Sequence, residues 1–325
     1  MTEGPAEIGP ADRQNLVAAA IRAPSMHNTQ PWRFKFVGDR VEVHRDPHRE
    51  LPVEDPQRRM SLISAGAAMF NLRVAAEHAG YRAVPTLHNQ TDRTLVAEVQ
   101  LSERPPDAPD PISELHPYID VRRSNRSPYA DSSVSSEIRT ALITAAADEG
   151  AMLDWIHDPS RRDWVLSLSA DANMFDNTDA ARRAERHRWV GGDRDREGVP
   201  TSALGPRPDR RSAPVRDLAA DRADRARPSA SFESDPALAV VTTRYDMPKS
   251  WLVAGQALEH VWLEATRHGL AVSLLTQAVE HAELRWLVRD PRAGWSEPQV
   301  VIRFGHGPEV PMTPRRPVGE FIDLG

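Results

Sequence analysis

Two short stretches of the chain carry side chains that could bind a ligand, and each occurs once. The first, Ala23 to Trp32, reads APSMHNTQPW, and the second, Arg122 to Arg126, reads RRSNR. The first offers neutral hydrogen-bond donors and acceptors, whereas the second places guanidinium groups around a hydroxyl. Together they suit a ligand that has both a polar ring and an anionic group.

The first stretch is predicted to form a rigid loop, because Pro24 and Pro31 each bias the preceding residue away from helical geometry. Ser25, Asn28 and Gln30 would then present uncharged donors and acceptors to the edge of a planar heterocycle with alternating carbonyl and N–H groups. The alternative is a capped turn in which these side chains satisfy their own backbone.

The second stretch is predicted to bind an anion. On an extended segment Arg122, Ser124 and Arg126 alternate, so their side chains project to one side, where they would fit a phosphate monoester. Arg315 and Arg316, between two prolines near the C-terminus, add further cations. The alternative is that each cluster is a solvated face of an arginine-rich chain.

Other kinds of active site find little support in the sequence. No carboxylate pair, metal-ligand spacing, glycine-rich phosphate loop or nucleophile elbow stands out, and no metal site is predicted. The chain has no Cys, which excludes disulfides, thiolate metal sites and cysteine nucleophiles. A site of this composition favours a cofactor that carries the chemistry itself, with no catalytic side chain predicted.

Length and composition indicate a globular protein with two lobes. The 325 residues are 40% hydrophobic and 27% charged, and 41 basic against 47 acidic residues give a net charge of −6. No basic excess favours nucleic acid, and neither a long apolar run nor a secretory signal is evident. We therefore expect a cytoplasmic protein without nucleic-acid or membrane partners.

An internal repeat divides the chain. Residues 61–80 align with residues 250–269 at an offset of 189, with identical residues at Ser61, Ala65, Gly66, Ala68, Ala76 and Gly80. Apolar spacing of three and four residues and a terminal glycine predict a long buried helix in each segment. The alternative is that two alanine-rich helices match by chance.

The order of neighbouring elements favours the repeat. A shorter helix precedes each long one, at 12–22 and 134–147, and a strand follows each, at 94–101 and 299–304. The proline-rich link 104–111 separates the halves, which are predicted as residues 1–110 and 111–325. Because neither ligand-binding stretch recurs in the other half, we expect one site assembled from both.

Residues 176–231 do not fit this repeat and are predicted to be an insertion. The segment is crowded with Arg, Asp, Gly and Pro and shows no sustained apolar period. It is either a polar linker or a lid that grips a pocket through its apolar residues, Trp189, Val199, Ala203 and Leu204.

These motifs, taken together, resemble those of a known family. The pattern A-P-S-x-x-N-x-Q-P-W before a strand at 33–37, together with R-R-S-x-R and a C-terminal Arg-Arg-Pro, resembles the nitroreductase family of FMN-dependent flavoproteins. The resemblance covers nearly the whole chain and is greatest to the mycobacterial Acg-type branch. It implies an α+β fold in which two tandem halves form an intramolecular pseudo-dimer, each with a central, mainly antiparallel sheet flanked by helices.

The resemblance also implies roles for individual residues. Phosphate and ribityl contacts would come from Arg122, Arg123, Ser124 and Arg126, with Arg315 or Arg316 as a second phosphate anchor. Flavin-ring contacts would come from Pro24, Ser25, Met26, Asn28 and Gln30, and the backbone of Leu275, Thr276 and Gln277 would approach flavin N5. Residues 148–155, where the Pro-Ser loop would recur, lack its polar pattern, so we expect one FMN per chain and a monomer that acts as a pseudo-dimer.

The implied reaction is hydride transfer from NAD(P)H, through flavin N5, to a small-molecule electron acceptor such as a nitroaromatic or a quinone. The alternative is a catalytically weak protein that stores or sequesters flavin under its lid. The motifs are common to both, so the sequence leaves the choice open.

Overall fold

The computed structural model describes residues 8–91, 93–105, 112–221, 227–292, 294 and 296–323. Its helices are α1 Pro10–Ala20, α2 Arg59–His78, α3 His116–Ile119, α4 Ser136–Asp148, α5 Pro159–Thr178, α6 Ala180–Trp189, α7 Pro248–Arg267, α8 Gln277–Glu280 and α9 Ala282–Arg285. Its strands are β1 Trp32–Val37, β2 Arg40–Arg45, β3 Tyr81–Leu87, β4 Leu95–Glu103, β5 Met152–Trp155, β6 Arg207–Pro208, β7 Ser229–Ala230, β8 Ala237–Thr243, β9 Ala271–Leu274, β10 Glu297–Gly305 and β11 Ile322–Asp323. The predicted boundary between residues 110 and 111 lies outside the described residues.

Each half contributes one main sheet, and the two sheets have the same strand order. The first is β1-β2-β4-β3, extended by β11 beside β1, and the second is β5-β8-β10-β9. Within these two sheets every strand pairing is antiparallel except that of β1 with β11. Strands β6 and β7 form a separate parallel pair. The predicted α+β class with mainly antiparallel sheets is confirmed, and the last strand of the chain returns to the sheet of the first half.

The repeat extends to the central helices. Helices α2 and α7 each have twenty residues, begin 189 residues apart (248 − 59) and pack against each other. A Cβ on Gly66 would lie 2.2 Å from the carbonyl oxygen of Leu252, and one on Gly255 would lie 2.0 Å from that of Ile63. Since Gly255 and Leu252 are the repeat equivalents of Gly66 and Ile63, the contact has two equivalent sides. Only glycine permits so close a crossing.

The halves differ in the connection between their first two strands. In the first half Gly38 and Asp39 link β1 to β2, whereas residues 156–236 link β5 to β8. The predicted insertion, 176–231, lies within this longer connection, which also includes the whole of α5. Val165, Leu166 and Leu168 of α5 are buried against the second sheet, so the connection has a packed base.

A second apolar cluster lies within the connection itself, formed by Val190, Val199, Leu204, Leu218 and Ala219. The described parts of this connection are therefore folded on their own small core. Within the described residues, no helix is long and apolar enough to cross a membrane.

Candidate functional site

The loop between α1 and β1 is held in an unusual backbone conformation. His27, Asn28 and Gln30 have φ of 50°, 56° and 53°, in the left-handed region that residues other than glycine rarely adopt. The backbone N–H of Gln30 donates to the Ser25 hydroxyl at 3.0 Å, which closes the loop on itself. Such strain persists only where the surroundings enforce it, and it is frequent at functional sites.

Asn28 connects this loop to two distant segments. Its Nδ2 donates to the carbonyl oxygens of Gly198 and Pro314, each at 2.9 Å, and its own carbonyl accepts from the N–H of Gly198 at 3.2 Å. Gln30 makes a similar link, because its Nε2 donates to the Arg196 carbonyl at 3.0 Å and its Oε1 accepts from the N–H of Arg316 at 3.1 Å. The β5–β8 connection and the C-terminal segment are thereby attached to the loop.

A cavity lies beside the loop, and guanidinium groups dominate its polar lining; we call it the arginine cavity. Both halves contribute to its wall. The lining residues are Arg22, Pro24, Ser25, His27, Asn28, Ile119, Arg122, Arg123, Ser124, Arg126, Val199, Pro311, Met312, Thr313 and Arg315.

Positive charge in the arginine cavity exceeds the negative charge that neutralises it. Among the described residues, two of its five arginines form ion pairs, Arg22 with Asp120 at 2.9 Å and Arg122 with Glu259 at 3.1 Å. The guanidinium of Arg315 instead donates to backbone carbonyls, including that of Ile21 at 2.6 Å. The cavity therefore carries a surplus of cations for an anionic ligand.

The pKa values of these arginines reflect the crowding. Burial, then repulsion from Arg122 and Arg22, lowers the pKa of Arg315 to about 9. Burial, then repulsion from Arg216, lowers the pKa of Arg126 to about 10. Burial also lowers the pKa of Arg122 and of Arg123. A bound anion would relieve this cost, because an opposite charge favours the protonated form.

A second cavity has a more apolar wall, and we call it the apolar cavity. Helices α2 and α7, the loop, and the end of β9 all contribute to it. The lining residues are Pro24, Ser25, Met26, His27, Met60, Ile63, Ser64, Ser124, Arg126, Arg216, Leu218, Leu258, Ser273, Leu274 and Thr276. Hydroxyl and apolar groups on such a wall suit a flat, uncharged ring.

The two cavities meet, since Pro24, Ser25, His27, Ser124 and Arg126 line both. Ser25 comes from the first half and Arg126 from the second. Arg126 has no carboxylate partner among the described residues, and its Nη1 donates to the carbonyl of Ala203 at 3.0 Å. A single ligand with a ring and an anionic tail could therefore occupy both cavities, with Arg126 where they join.

The β5–β8 connection covers the apolar cavity with Arg216 and Leu218. Arg216 is buried and neutralised: its guanidinium contacts both carboxylate oxygens of Glu280 at 2.5 and 3.0 Å, and Nη1 donates to the Thr276 hydroxyl at 3.1 Å. Carboxylates beside this guanidinium, Glu280 first, raise the pKa of Arg216 despite its burial. This side of the cavity is thus nearly neutral, unlike the arginine cavity.

The structure brings most of the predicted site residues together. Ten line one or both cavities: Pro24, Ser25, Met26, Asn28, Arg122, Arg123, Ser124, Arg126, Thr276 and Arg315. Arg122, Ser124 and Arg126, which were expected to project to one side, all line the arginine cavity, and Arg123 between them lines it as well.

Four expected residues lie outside both cavities, and each has a physical reason. Gln30 is fully buried and uses its amide to hold neighbouring segments. Arg316, next to Arg315, faces the other way and lies over the ring of Phe321 at 4.2 Å. Leu275 belongs to the core beneath the second sheet, and Gln277 is buried at the start of α8. Of the two alternatives for the second phosphate anchor, Arg315 is the one that lines the arginine cavity. The approach of residues 275–277 to flavin N5 was expected through their backbone, and it stays a prediction.

The predicted grip by Trp189, Ala203 and Leu204 was also wrong. Leu204 is buried in the small core of the connection, with Trp189 and Ala203 packed against it, and none of the three lines either cavity. Of the four expected apolar residues, Val199 alone reaches the arginine cavity. Sequence reasoning missed His27 and Arg216, because one was a variable position in a motif and the other was one arginine among many.

Among known protein families, no family model matches the chain. A Mycobacterium tuberculosis protein named "Putative NAD(P)H nitroreductase acg" is 31% identical over 96% of this chain and 95% of its own length. Another protein of that organism, "Putative NAD(P)H nitroreductase Rv3131", is 30% identical over 95% and 90%.

Solved structures with detectable similarity are more distant. A nitroreductase with bound FMN from Bacteroides fragilis aligns with 62% of this chain and 93% of its own at 15% identity and a TM-score of 0.37. A BluB-like flavoprotein from Clostridium difficile aligns with 63% and 96% at 16% identity and a TM-score of 0.40.

Proposed function

This chain belongs to the Acg-type NAD(P)H nitroreductase family, and on that premise we propose that it binds one FMN between its halves and acts as an oxidoreductase. The observation that carries the proposal is the joined pair of cavities, one cationic and one apolar, with Ser25 and Arg126 at the junction. A flavin mononucleotide has the matching shape, a planar ring at one end and a phosphate dianion at the other.

The arginine cavity fits the phosphate. Arg122, Arg123, Arg126 and Arg315 would hold the dianion and the ribityl chain, with the Ser124 hydroxyl between them. The lowered pKa values of Arg126 and Arg315 support this assignment, because burial and then repulsion from neighbouring arginines disfavour the protonated guanidinium groups, and a bound dianion would favour them.

The apolar cavity fits the ring. Pro24, Ser25 and Met26 would contact it from the loop, and Thr276 from the end of the second sheet. FMN, when bound, takes a hydride from NAD(P)H and passes two electrons to an acceptor such as a nitroaromatic or a quinone. Arg126 would stabilise negative charge on the ring edge, a role in which one positioned donor contributes about 3 kcal/mol.

A second candidate, flavin storage or sequestration, is favoured by the β5–β8 connection. Glu185 of α6 accepts from the backbone N–H groups of Val53 and Glu54 at 3.1 and 2.7 Å, and Arg182 donates to the Val53 carbonyl at 3.1 Å. Together with the Asn28 links, these contacts fasten the connection over the cavities. A cover held this firmly would limit access of NAD(P)H to the ring.

An anaerobic reduction distinguishes the two. Purified protein with a visible flavin spectrum is mixed with excess NADPH or NADH, and absorbance near the flavin maximum is followed. The oxidoreductase proposal expects bleaching by at least one nicotinamide and recovery on adding a quinone. Bleaching by dithionite alone would reject it in favour of sequestration, and protein that cannot bind FMN would reject both.

A further inference from the structure

One titratable side chain at the junction of the cavities has no part in holding a flavin. His27 lines both cavities, yet its side chain is only 1% exposed. The backbone φ of His27 is 50°, in the left-handed region. Among the described residues, its only side-chain hydrogen bond joins Nε2 to Glu54 Oε2 at 2.7 Å.

Glu54 is suited to orient this imidazole. Its side chain is fully buried, and its backbone N–H is itself fixed by Glu185. Burial opposes ionisation, but the charge and hydrogen bond of His27, aided by Arg216 and Arg186, lower the pKa of the Glu54 carboxyl. An ionised carboxylate only accepts hydrogen bonds, so His27 must donate from Nε2–H. Nδ1 then has no side-chain hydrogen-bond partner among the described residues.

The surroundings of His27 contain both charged and neutral groups. Apart from Glu54, the charged groups belong to the second half. Arg186 and Glu185 lie on α6 and Arg216 lies further along the β5–β8 connection, while Arg126 lies at the cavity junction. Helix α2 faces the apolar cavity with the uncharged Met60, Ile63 and Ser64. The imidazole thus contacts one carboxylate through Nε2, makes no other side-chain hydrogen bond among the described residues, and belongs to the lining of both cavities.

We propose that His27, oriented by Glu54, is the proton donor to the electron acceptor; this inference rests on the proposed function. For a quinone, the cofactor supplies a hydride and is oxidised by two electrons, while the Nδ1–H bond breaks and its proton goes to a quinone oxygen. The quinone becomes a hydroquinone. His27 is left neutral, keeps Nε2–H on Glu54, and regains a proton from water.

The structural alternative is that the pair merely anchors the loop, and a second pair in the molecule provides the matched control. His281 Nε2 lies 2.9 Å from Asp176 Oδ1, and its imidazole is largely buried, but it lines neither the arginine nor the apolar cavity. His281→Gln removes a histidine–carboxylate contact of the same kind without touching the proposed site.

The test compares two acceptors on the FMN-bound protein reduced with dithionite under anaerobic conditions. A 1,4-naphthoquinone needs protons as well as electrons, whereas ferricyanide accepts single electrons without a proton. We expect His27→Gln to slow reoxidation by the quinone about 100-fold and Glu54→Gln to slow it less. Reoxidation by ferricyanide should change less than about twofold. His281→Gln should leave both rates unchanged.

Equal slowing with both acceptors would show an anchoring role and overturn the proposal, as would an unchanged quinone rate. Because dithionite replaces NAD(P)H, failure of the nicotinamides to reduce the flavin would reject the proposed function without affecting this comparison. Should His27→Gln fail to fold, ¹⁵N NMR of the imidazole in the unaltered holoprotein gives a second readout. It should show a proton on Nε2, where Glu54 accepts it, and a second proton on Nδ1, as a proton donor requires. A His27 that carries no proton on Nδ1 would overturn the proposal.

Discussion

The two halves share a core but differ in the connection that leads from a helix into their first strand. Between α1 and β1 lie the eleven residues 21–31, and between α4 and β5 lie only the three residues 149–151. The longer connection forms the strained loop at both cavities. The shorter one turns at Gly150, where Glu149 contacts Arg73 at 2.5 Å and His260 at 3.4 Å. A three-residue turn has no room for a ligand-binding loop.

The repeat therefore retains the packing of the central helices in both halves, but the second half lacks the loop that a second ligand site would need. Gly66 and Gly255 keep equivalent close contacts between α2 and α7. At the second connection, a buried carboxylate and its partners take the place of a Pro-Ser loop. Changes to the core should therefore affect both halves alike, whereas changes near the connections should affect ligand binding on one side only.

The largest effect is expected from the helix crossing. Gly66→Ala and Gly255→Ala would each force a Cβ onto a backbone carbonyl, so each should reduce the free energy of unfolding by about 3 kcal/mol or more. Thermal denaturation measures this, with Gly319→Ala, which has open space around it, as the control. A loss confined to one of the two glycines would contradict the equivalence of the helices.

The next effect concerns the anion. Arg126→Ala removes a cation without a carboxylate partner, so FMN should bind roughly 10- to 100-fold more weakly, corresponding to about 1.5–3 kcal/mol for a charged hydrogen bond. Arg73→Ala, at the second connection, should leave FMN affinity unchanged. Fluorescence titration of flavin-free protein measures both, and equal weakening by the two variants would argue against a single site.

A smaller effect is expected from the link between the loop and its cover. Asn28→Ala removes hydrogen bonds to Gly198 and Pro314, a loss of about 1–2 kcal/mol. Amide hydrogen exchange in residues 190–204 should accelerate, and FMN should dissociate faster. Unchanged exchange in that segment would show that other contacts suffice to hold the cover.

The smallest effect concerns acid stability at the second connection. Burial opposes ionisation of Glu149, but His260 and Arg73 lower the pKa of its carboxyl. Because the folded-state pKa lies below the unfolded value, Glu149 stabilises the fold above that unfolded value and loses this contribution as pH falls through the folded one. Glu149→Gln should make the free energy of unfolding less dependent on pH between the folded-state and unfolded-state pKa values of Glu149, without changing FMN binding. An unaltered pH profile would contradict the assignment.

The sequence predicted the framework better than the details of the site. The long helices are strongly periodic and end at Gly80 and Gly269, both with positive φ, so their positions could be inferred locally. The arginine cluster at 122–126 was also recognisable because its chemistry is concentrated. The identical strand order of the sheets was beyond local patterns, since it depends on pairing between distant segments.

Side-chain direction could not be predicted from the motifs. Gln30 and Ser25 stand in one loop, but successive left-handed residues turn Gln30 inward, where it binds Arg196 and Arg316 instead of facing a cavity. The importance of Arg216 depends on Glu280 and Thr276, which are 60 or more residues away. Tertiary contacts, and not composition, select it from the many arginines of its segment.

We propose that the unequal connections leave one flavin site per chain. Native mass spectrometry of protein saturated with FMN, checked by absorbance after denaturation, measures the number of flavins directly. We predict one FMN per chain, retained in Arg73→Ala and weakened in Arg126→Ala. Two bound flavins per chain, or binding that survives loss of Arg126 but not of Arg73, would contradict the account.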